Sequence, residues 1–328
     1  MEMKSEEISW KIGKTVVEGT VTYQDKAGRY PCVVFVAGSG PTDRNWESPL
    51  LPGTKGTARL LAEELTSCGY VTLRYDKRAS GPHAKQNLHS MAGNISLESH
   101  FEELKGVVSY LLRRSDVDPE RIFVLTSSEG AIHALYYQIH DGIKPFKGMV
   151  LTGAPGRPLN EITNYQVISQ LKPLPNGADL ISRYRQLINR FEDGLPFVPD
   201  PKIPEWVNGL LAGLSSPTNQ PFSREFWSFK SADYIKNMNV PVLIVIGKKD
   251  LQTDWKLDGE VLGKAAKRKG NISLYYPENA NHVLKFEPKP REELTAGTAI
   301  QNYNGPDSTL DPETFKTILD WLSKIPKP

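Results

Sequence analysis

The chain has 328 residues, and its 39% hydrophobic content supplies enough apolar surface for a buried core with a substantial insertion. The net charge is only +2, with Lys and Arg scattered along the chain, whereas a nucleic-acid-binding protein presents a basic patch or stripe. No apolar run approaches the ~20 residues of a membrane span, and the polar N-terminus lacks the apolar stretch of a signal peptide. We therefore expect a cytoplasmic protein with no nucleic-acid partner.

Cysteine and histidine usage adds two expectations. Cys32 and Cys68 both fall in apolar stretches and are expected to be buried free thiols of a reducing compartment. The six histidines and the two cysteines do not cluster with the spacing of metal ligands. We therefore expect neither a metal nor another cofactor, and the sequence carries no signal for the oligomeric state.

Buried strands alternate with helices along most of the chain. Residues 7–23 alternate in the manner of antiparallel strands, and Ser99 with Glu102 predicts a capping box at the start of a helix that ends near Leu112. This alternation predicts an α/β protein with a mainly parallel sheet covered by helices on both faces. Further strands are predicted at residues 30–36, 70–75, 121–125, 147–152, 241–246 and 271–276, and further helices at residues 57–66, 131–137 and 312–323.

An interruption of different character separates two of these strands. Residues 155–239 carry helical patterns and are rich in proline and aromatic residues, and we interpret them as a helical cap inserted into a core formed by residues 1–154 and 240–328. A peripheral insertion with a small core of its own is the alternative. The aromatic residues of the cap that we single out as candidates for substrate contacts are Trp206, Phe226 and Trp227.

The segment Thr-Ser-Ser-Glu-Gly at residues 126–130 lies between a short apolar strand and an apolar helical pattern. A buried strand that turns sharply into a helix with a serine at the corner is a nucleophile elbow. The residues two before and two after that serine must be small, because strand and helix nearly touch there. Ser128 meets this condition with Thr126 and Gly130, whereas Ser127 would need a leucine and a glutamate in those places. Ser128 is therefore the candidate nucleophile, and a simple serine helix cap is the alternative.

An activated serine needs a base, and the base needs an orienting carboxylate. In elbow folds the three groups follow in the order serine, acid, histidine. Of the six histidines only His282 comes late enough, in a polar loop after the last predicted strand. The loop after the preceding strand supplies Asp250 as the candidate acid, with Asp254 as its competitor and Asp258 as a remote one.

A developing oxyanion requires backbone N–H donors. One is expected from Glu129, immediately after the candidate nucleophile, and the other from the turn Gly-Ser-Gly-Pro-Thr-Asp-Arg at residues 38–44, where Ser39 is favoured by position. Glycines in this turn allow the backbone to approach a substrate closely. The turn lacks both the Lys-Ser/Thr of a P-loop and a G-x-G-x-x-G pattern, which argues against a nucleotide.

These features together resemble the α/β-hydrolase superfamily over nearly the whole chain. The resemblance rests, in chain order, on the turn at residues 38–44, on Tyr-Asp-Lys-Arg at residues 75–78, on the elbow at Ser128, and on the Asp250 and His282 loops. The turn is similar to that of bacterial serine hydrolases described as esterases or serine-aminopeptidase-like proteins. The resemblance implies an α/β-hydrolase fold with Ser128 as nucleophile, Asp250 as acid, His282 as base, and Ser39 and Glu129 as oxyanion donors.

The chain departs from the superfamily pattern at four positions without losing a catalytic group. Ala37 stands where a histidine is frequent, Ala79 and Thr126 where a glycine is usual, and Ser127 where a histidine is common.

The leading function is hydrolysis of a small-molecule carboxylic ester with a mainly apolar acyl or alcohol group, through an acyl-enzyme. Cleavage of an amide or peptide, as by an aminopeptidase, is the alternative within enzymes, with Glu129, Glu161 and Glu192 available to bind a substrate ammonium. A non-catalytic binding protein that keeps the fold is the alternative outside enzymes.

Overall fold

The computed structural model describes residues 2–140, 142–267 and 270–327. The chain folds into two units. The larger contains the residues up to Ser90, His100–Gly156 and those from Lys230 onward, and the smaller contains Met91–Ser99 and Arg157–Phe229. The smaller unit thus includes most of the predicted insertion and also a short stretch that precedes the elbow.

The larger unit is built on one eight-stranded sheet. In the described residues the strand order is β1-β2-β4-β3-β5-β6-β7-β8, and only the pairs β1–β2 and β2–β4 are antiparallel. The strands are β1 (Met3–Ile12), β2 (Thr15–Gln24), β3 (Tyr30–Val36), β4 (Val71–Tyr75), β5 (Val117–Ser127), β6 (Gly148–Thr152), β7 (Val242–Val245) and β8 (Ile272–Tyr275).

The strand order reverses direction at β3, whose chain continues into β4 on one side while β5 lies on the other. In open parallel sheets such a reversal opens a crevice at the carboxyl ends of the two strands, and ligands bind there. The turn at residues 38–44 follows β3 and the elbow follows β5, so that the topology brings these two segments to the same edge of the sheet.

Helices cover both faces of this sheet. Along β3 the side chains alternate between two hydrophobic clusters, with Val34 in one cluster and Val33 and Phe35 in the other, as the two-residue period of a strand requires. The helices in chain order are α1 (Thr57–Ser67), α2 (Ala84–Met91), α3 (Leu97–Leu112), α4 (Gly130–Ile139), α5 (Leu159–Leu171), α6 (Gly177–Glu192), α7 (Glu205–Ser215), α8 (Phe222–Ser228), α9 (Ser231–Ile235), α10 (Leu257–Ala266), α11 (Ala296–Ala299) and α12 (Pro312–Lys324).

The two clusters have different helical partners. Residues of α3, α4, α9 and α10 pack in the first, and residues of α1 and α12 pack in the second. Among the described residues, no helix combines the length and the apolar character that crossing a membrane requires.

The smaller unit has a hydrophobic core of its own, to which α5, α6, α7 and α8 contribute. Tyr184 is fully buried in this core, and its hydroxyl donates to Oδ1 of Asn164 at 2.7 Å. Trp227 belongs to the same core and packs edge-on against Phe191, with the ring centroids 5.3 Å apart. Its Nε1–H donates to Oε1 of Glu192 at 2.9 Å.

Two local predictions are wrong. The helix α3 begins one turn earlier than predicted, because the backbone N–H of Ser96 and that of Ser99 each donate to the hydroxyl of the other residue at 3.1 Å. Glu102 pairs with Lys105 instead. Cys68 is exposed rather than buried, because it occupies the position after the last turn of α1, where the apolar stripe of the helix has ended. Cys32 is a buried free thiol, and burial raises its pKa.

Candidate active site

The elbow forms a strained turn between β5 and α4. Ser128 has φ of 52°, a left-handed conformation that L-residues other than glycine seldom adopt and that costs free energy. Its N–H donates to the carbonyl of Thr152 at 2.8 Å, and its carbonyl accepts from the N–H of Ala131 at 2.9 Å. A strained residue held by hydrogen bonds on both sides is typical of a functional position.

The approach of this turn to the end of β3 is close. A Cβ atom on Gly130 would lie 2.5 Å from the carbonyl oxygen of Val36 and 2.8 Å from that of Ala37. A Cβ atom on Gly38 would lie 3.2 Å from the carbonyl oxygen of Ser127. Glycine is therefore required at position 130 by direct backbone contact, and nearly so at position 38.

His282 and Asp250 are in contact although 32 positions separate them in the chain. Nδ1–H of His282 donates to Oδ2 of Asp250 at 2.8 Å, and both side chains are buried. The other carboxylate oxygen of Asp250 accepts from the backbone N–H groups of Gln252 at 2.7 Å and Thr253 at 2.9 Å. These bonds fix the carboxylate and, through it, the plane of the imidazole.

The two competing acids serve other purposes. Oδ1 of Asp254 accepts from the backbone N–H groups at the start of α10, and its other oxygen pairs with Arg291 at 3.1 Å. Asp258 is buried, and its carboxylate accepts from the N–H groups of Gly156 at 3.2 Å and Asp254 at 2.9 Å. In the described residues only Asp250 contacts His282 among the three acids.

Ser39, Ser128 and His282 line one cavity of about 110 Å³ in the larger unit. Within the part of the chain that the structure describes, neither the backbone N–H of Ser39 nor that of Glu129 donates to a protein acceptor. Two backbone donors without protein partners thus flank the candidate nucleophile. The remaining lining residues are Gly38, Thr42, Trp46, Ser48, Leu51, Ser127, Gln252, Val283, Tyr303 and Asn304.

The turn at residues 38–44 is held by its own polar side chains. The hydroxyl of Thr42 donates to the carbonyl of Ser39 at 2.7 Å, and Oδ1 of Asp43 accepts from the N–H of Asn45 at 2.8 Å. Arg44 donates from its backbone and its guanidinium to the buried Asp76 at 2.7 and 2.9 Å. The Pro-Thr-Asp-Arg half of the turn therefore anchors the glycine half to the end of β4.

A charged network lies buried beside the elbow. Nζ of Lys77 donates to the carbonyl of Gly38 at 2.5 Å and to Oε1 of Glu129 at 3.3 Å. The same Glu129 oxygen lies 3.1 Å from Nε2 of His133. Burial alone would raise the pKa of Glu129, but the charge of Lys77 and the hydrogen bond with His133 outweigh it, and the pKa is lowered. Glu129 is therefore an ionised carboxylate, one oxygen of which is shared by Lys77 and His133.

A second ion pair completes the network. Nε of Arg78 donates to Glu103 at 3.1 Å, and the other oxygen of Glu103 lies 2.9 Å from Nδ1 of His100. Burial acts to raise the pKa of Glu103, but its interactions with His100 and Arg78 outweigh burial and lower the pKa to about 2. Among the described residues, the one group with the proximity of metal ligands is His100, Glu129 and His133, whose ligand atoms lie within 4.8 Å of one another.

Sequence reasoning missed the contributions of the polar segment that follows His282. Tyr303 is buried, its ring lies 6.3 Å from that of His282, and its hydroxyl accepts from Gln252 at 3.0 Å. Arg291 donates to the backbone carbonyl of Lys248 at 2.9 Å and to that of Asp250. No periodic pattern marks these residues, because their partners are some 40 to 50 positions away in the chain.

The three aromatic residues predicted to contact substrate all lie in the smaller unit. Trp206 is 42% exposed in the first turn of α7, and Phe226 stacks on Phe222 with ring centroids 5.5 Å apart. Trp227 is 5% exposed in the core of that unit. The role predicted for them stays a prediction.

Comparison with known proteins gives the fold and one relative. Esterase EstD of Thermotoga maritima is 27% identical over 271 residues, which make up 81% of this chain and 57% of that protein. The esterase Pf2001 of Pyrococcus furiosus matches at a TM-score of 0.55 and 17% identity over 98% of this chain and 92% of its own. A proline iminopeptidase of Mycobacterium smegmatis matches at 0.57 and 13% identity over 98% of both chains. No family model matches the sequence.

The chain therefore has the α/β-hydrolase fold, and the fold prediction is confirmed. The stretch of Esterase EstD that it matches is little more than half of that protein.

The contacts of Gly130 generate a stability prediction. Gly130→Ala places a methyl group against two backbone carbonyl oxygens that cannot move without shifting β3, so we expect a loss of about 1–3 kcal/mol in the free energy of unfolding. Gly263→Ala in α10 is the matched control, since a Cβ there meets only a Leu274 methyl at 3.7 Å and should be neutral or stabilising by about 0.4–1 kcal/mol. Urea unfolding of both variants checks this, and equal midpoints would contradict it.

Proposed function

We propose that the chain is a serine hydrolase that cleaves a carboxylic ester through an acyl-enzyme on Ser128. The observation that supports this most directly is the shared cavity of Ser128 and His282, with Asp250 bonded to the far side of the imidazole. A histidine whose Nδ1–H is fixed by a carboxylate presents Nε2 as the base. The esterase relative and the esterase with the same fold agree with this chemistry.

The proposed reaction has two halves. Nε2 of His282 takes the hydroxyl proton of Ser128 as the oxygen attacks the ester carbonyl, and the tetrahedral oxyanion accepts from the N–H groups of Ser39 and Glu129. His282 then gives the proton to the leaving alcohol, and the C–O bond of the ester breaks. In the second half water loses a proton to His282 and attacks the acyl-enzyme. His282 then returns this proton to the Ser128 oxygen as the acyl C–O bond breaks and the acid leaves, while Asp250 orients the imidazole.

The dimensions of the cavity support a small-molecule substrate with a short acyl group. Its volume of about 110 Å³ is well below the roughly 300–1,000 Å³ of pockets that take drug-sized ligands. Leu51, Trp46 and Val283 give part of its wall an apolar character, which suits an alkyl chain. Esters of acetate to butyrate are therefore the first substrates to test.

Cleavage of a peptide from its amino end is less well supported. It requires a carboxylate that can bind a substrate ammonium, and Glu129 is already engaged by Lys77 and His133. Glu192 accepts from Trp227 in the core of the smaller unit, and Glu161 lies exposed in the first turn of α5. Parallel assays with 4-nitrophenyl butyrate and aminoacyl 4-nitroanilides separate the two reactions, and a higher kcat/KM for the anilides would replace the ester proposal.

Removal of Ser128 tests the proposal as a whole. Ser128→Ala should reduce kcat for 4-nitrophenyl butyrate on the order of 10⁴- to 10⁶-fold, because no nucleophile remains. It should also abolish labelling by a fluorophosphonate. Ser127→Ala is the matched control and should stay active, since Ser127 belongs to β5. An inactive Ser127→Ala together with an active Ser128→Ala would show that Ser127, and not Ser128, is the nucleophile. Absence of labelling in the wild type would favour a non-catalytic binding protein.

The contact between Asp250 and His282 predicts that Asp250→Asn lowers kcat much more than Asp254→Asn does. Asp250→Asn keeps the shape but offers an amide where the imidazole N–H needs an acceptor, and a loss of about 10⁴-fold in kcat is expected at neutral pH. Asp254→Asn should cost far less, because Asp254 bonds Arg291 and the start of α10. Assay of both variants on the same ester is the measurement. Losses of equal, small size would exclude both residues as the acid.

We also propose that the smaller unit governs substrate choice rather than chemistry. Trp206→Ala and Phe226→Ala should each change the ratio of kcat/KM between butyrate and octanoate esters, because remote apolar contacts contribute binding energy. Val198→Ala, which truncates another exposed apolar residue of the same unit, is the control. Trp227→Ala removes core packing and should chiefly lower stability. Unchanged ratios in both test variants would exclude this role.

A further inference from the structure

Lys77 is a buried cation to which the proposed ester mechanism assigns no role. Its side chain is 3% exposed, and its ammonium contacts the carbonyl oxygen of Gly38 and the carboxylate of Glu129. Burial of an ion pair costs desolvation free energy, and replacement by apolar residues of similar volume is frequently neutral or stabilising. Stability therefore does not account for this pair. Both of its contacts, however, are with the residues that supply or adjoin the proposed oxyanion donors.

The contact with Gly38 acts on the N–H of Ser39. The Gly38 carbonyl and the Ser39 N–H belong to one planar peptide group, in which a trans bond points the two dipoles in opposite directions. A cation that holds the oxygen on one side therefore fixes the direction of the N–H on the other. The charge-assisted bond also draws electron density toward the oxygen and makes the N–H a stronger donor.

The contact with Glu129 joins this peptide to the second donor. The carboxylate that holds Lys77 belongs to the residue whose backbone N–H follows the candidate nucleophile. The ionised Glu129 balances the ammonium charge, and His133 fixes the carboxylate from a further side at 3.1 Å. One ion pair therefore connects the turn after β3 to the turn after β5, at the positions of both proposed donors.

We propose that Lys77, held by Glu129, is a positioning residue that orients the Gly38–Ser39 peptide and strengthens its N–H toward the oxyanion. This inference rests on the proposed ester hydrolysis on Ser128. Lys77 is not among the residues that line the cavity of Ser128 and His282, so its effect is confined to the stage at which negative charge develops on the substrate oxygen. Its removal should lower kcat and leave KM nearly unchanged.

The test uses the double variant Lys77→Met/Glu129→Gln, because Lys77→Met alone would leave a buried carboxylate uncompensated. The amide oxygen of the new glutamine can still accept from His133. Titration of active sites with a fluorophosphonate counts competent molecules, so that kcat per titrated site is measured even where part of a sample is unfolded. We expect kcat per site to fall about 10- to 100-fold, less than the ~10²- to 10³-fold of a deleted oxyanion donor.

A tetrahedral inhibitor separates positioning from a purely structural role. A trifluoromethyl ketone adds to the serine and places an oxyanion in the donor site, and its Ki should rise by the factor by which kcat/KM falls. The matched control is Arg78→Met/Glu103→Gln, which removes the adjacent buried ion pair and keeps the contacts of Lys77 with Gly38 and Glu129. This control should change the melting temperature while kcat per site stays within about twofold.

Three results would overturn the inference. The first is a kcat per site within twofold of wild type in the Lys77 double variant. The second is an equal loss in the Arg78 control. The third is one equivalent of a bound metal in the purified protein that is lost in His133→Gln, since the Glu129 carboxylate would then serve the cluster with His100 and His133. Full activity of Ser128→Ala would instead show that the ester proposal itself has failed, and this inference with it.

Discussion

The close contact between the end of β3 and the elbow is the constraint on which the rest of the site depends. Val36 and Thr126 are neighbours in the parallel register of β3 and β5, so the two turns that follow leave the sheet side by side. Gly130 has no room for a side chain against the carbonyl oxygens of Val36 and Ala37. The backbone alone therefore brings Ser39 and Ser128 to one cavity, and the side chains around them only complete the arrangement.

Buried charge keeps these backbone turns in place. In the turn at residues 38–44, Arg44 binds Asp76 and the Gly38 carbonyl accepts from Lys77. In the loop after β7 the carboxylate of Asp250 is held by two backbone N–H groups of its own loop. Each of these charges has a partner within hydrogen-bond distance, which is the condition under which burial of a charge is tolerated.

Sequence reasoning succeeded where a local pattern determines the answer. The strand period is of this kind, and the compared strand ends lie within four residues of the predicted ranges. The small residues around Ser128 and the late position of His282 led to site assignments that stay predictions. It failed where two local solutions compete, as at the start of α3, where reciprocal hydrogen bonds between Ser96 and Ser99 replace the predicted capping box of Ser99 and Glu102.

The long-range contacts of Arg291 and Tyr303 could not be predicted from the sequence, for a different reason. The segment that carries them has no hydrophobic period, and a sequence shows no trace of a bond to a residue some 40 positions away. The same limit hid Lys77, which contacts Gly38 and Glu129 at separations of 39 and 52 positions.

Arg291 also has a consequence for how the chain tolerates changes of length. Surface connections ordinarily accept insertions and deletions, because little depends on their path. Here the guanidinium spans from its own segment to two backbone carbonyls in the loop of Asp250, and the reach of a single side chain sets how far apart the two segments can lie. A residue gained or lost between His282 and Arg291 would therefore alter the acid loop, so circular permutation or an inserted tag belongs elsewhere, such as the exposed stretch at residues 192–196 of the smaller unit.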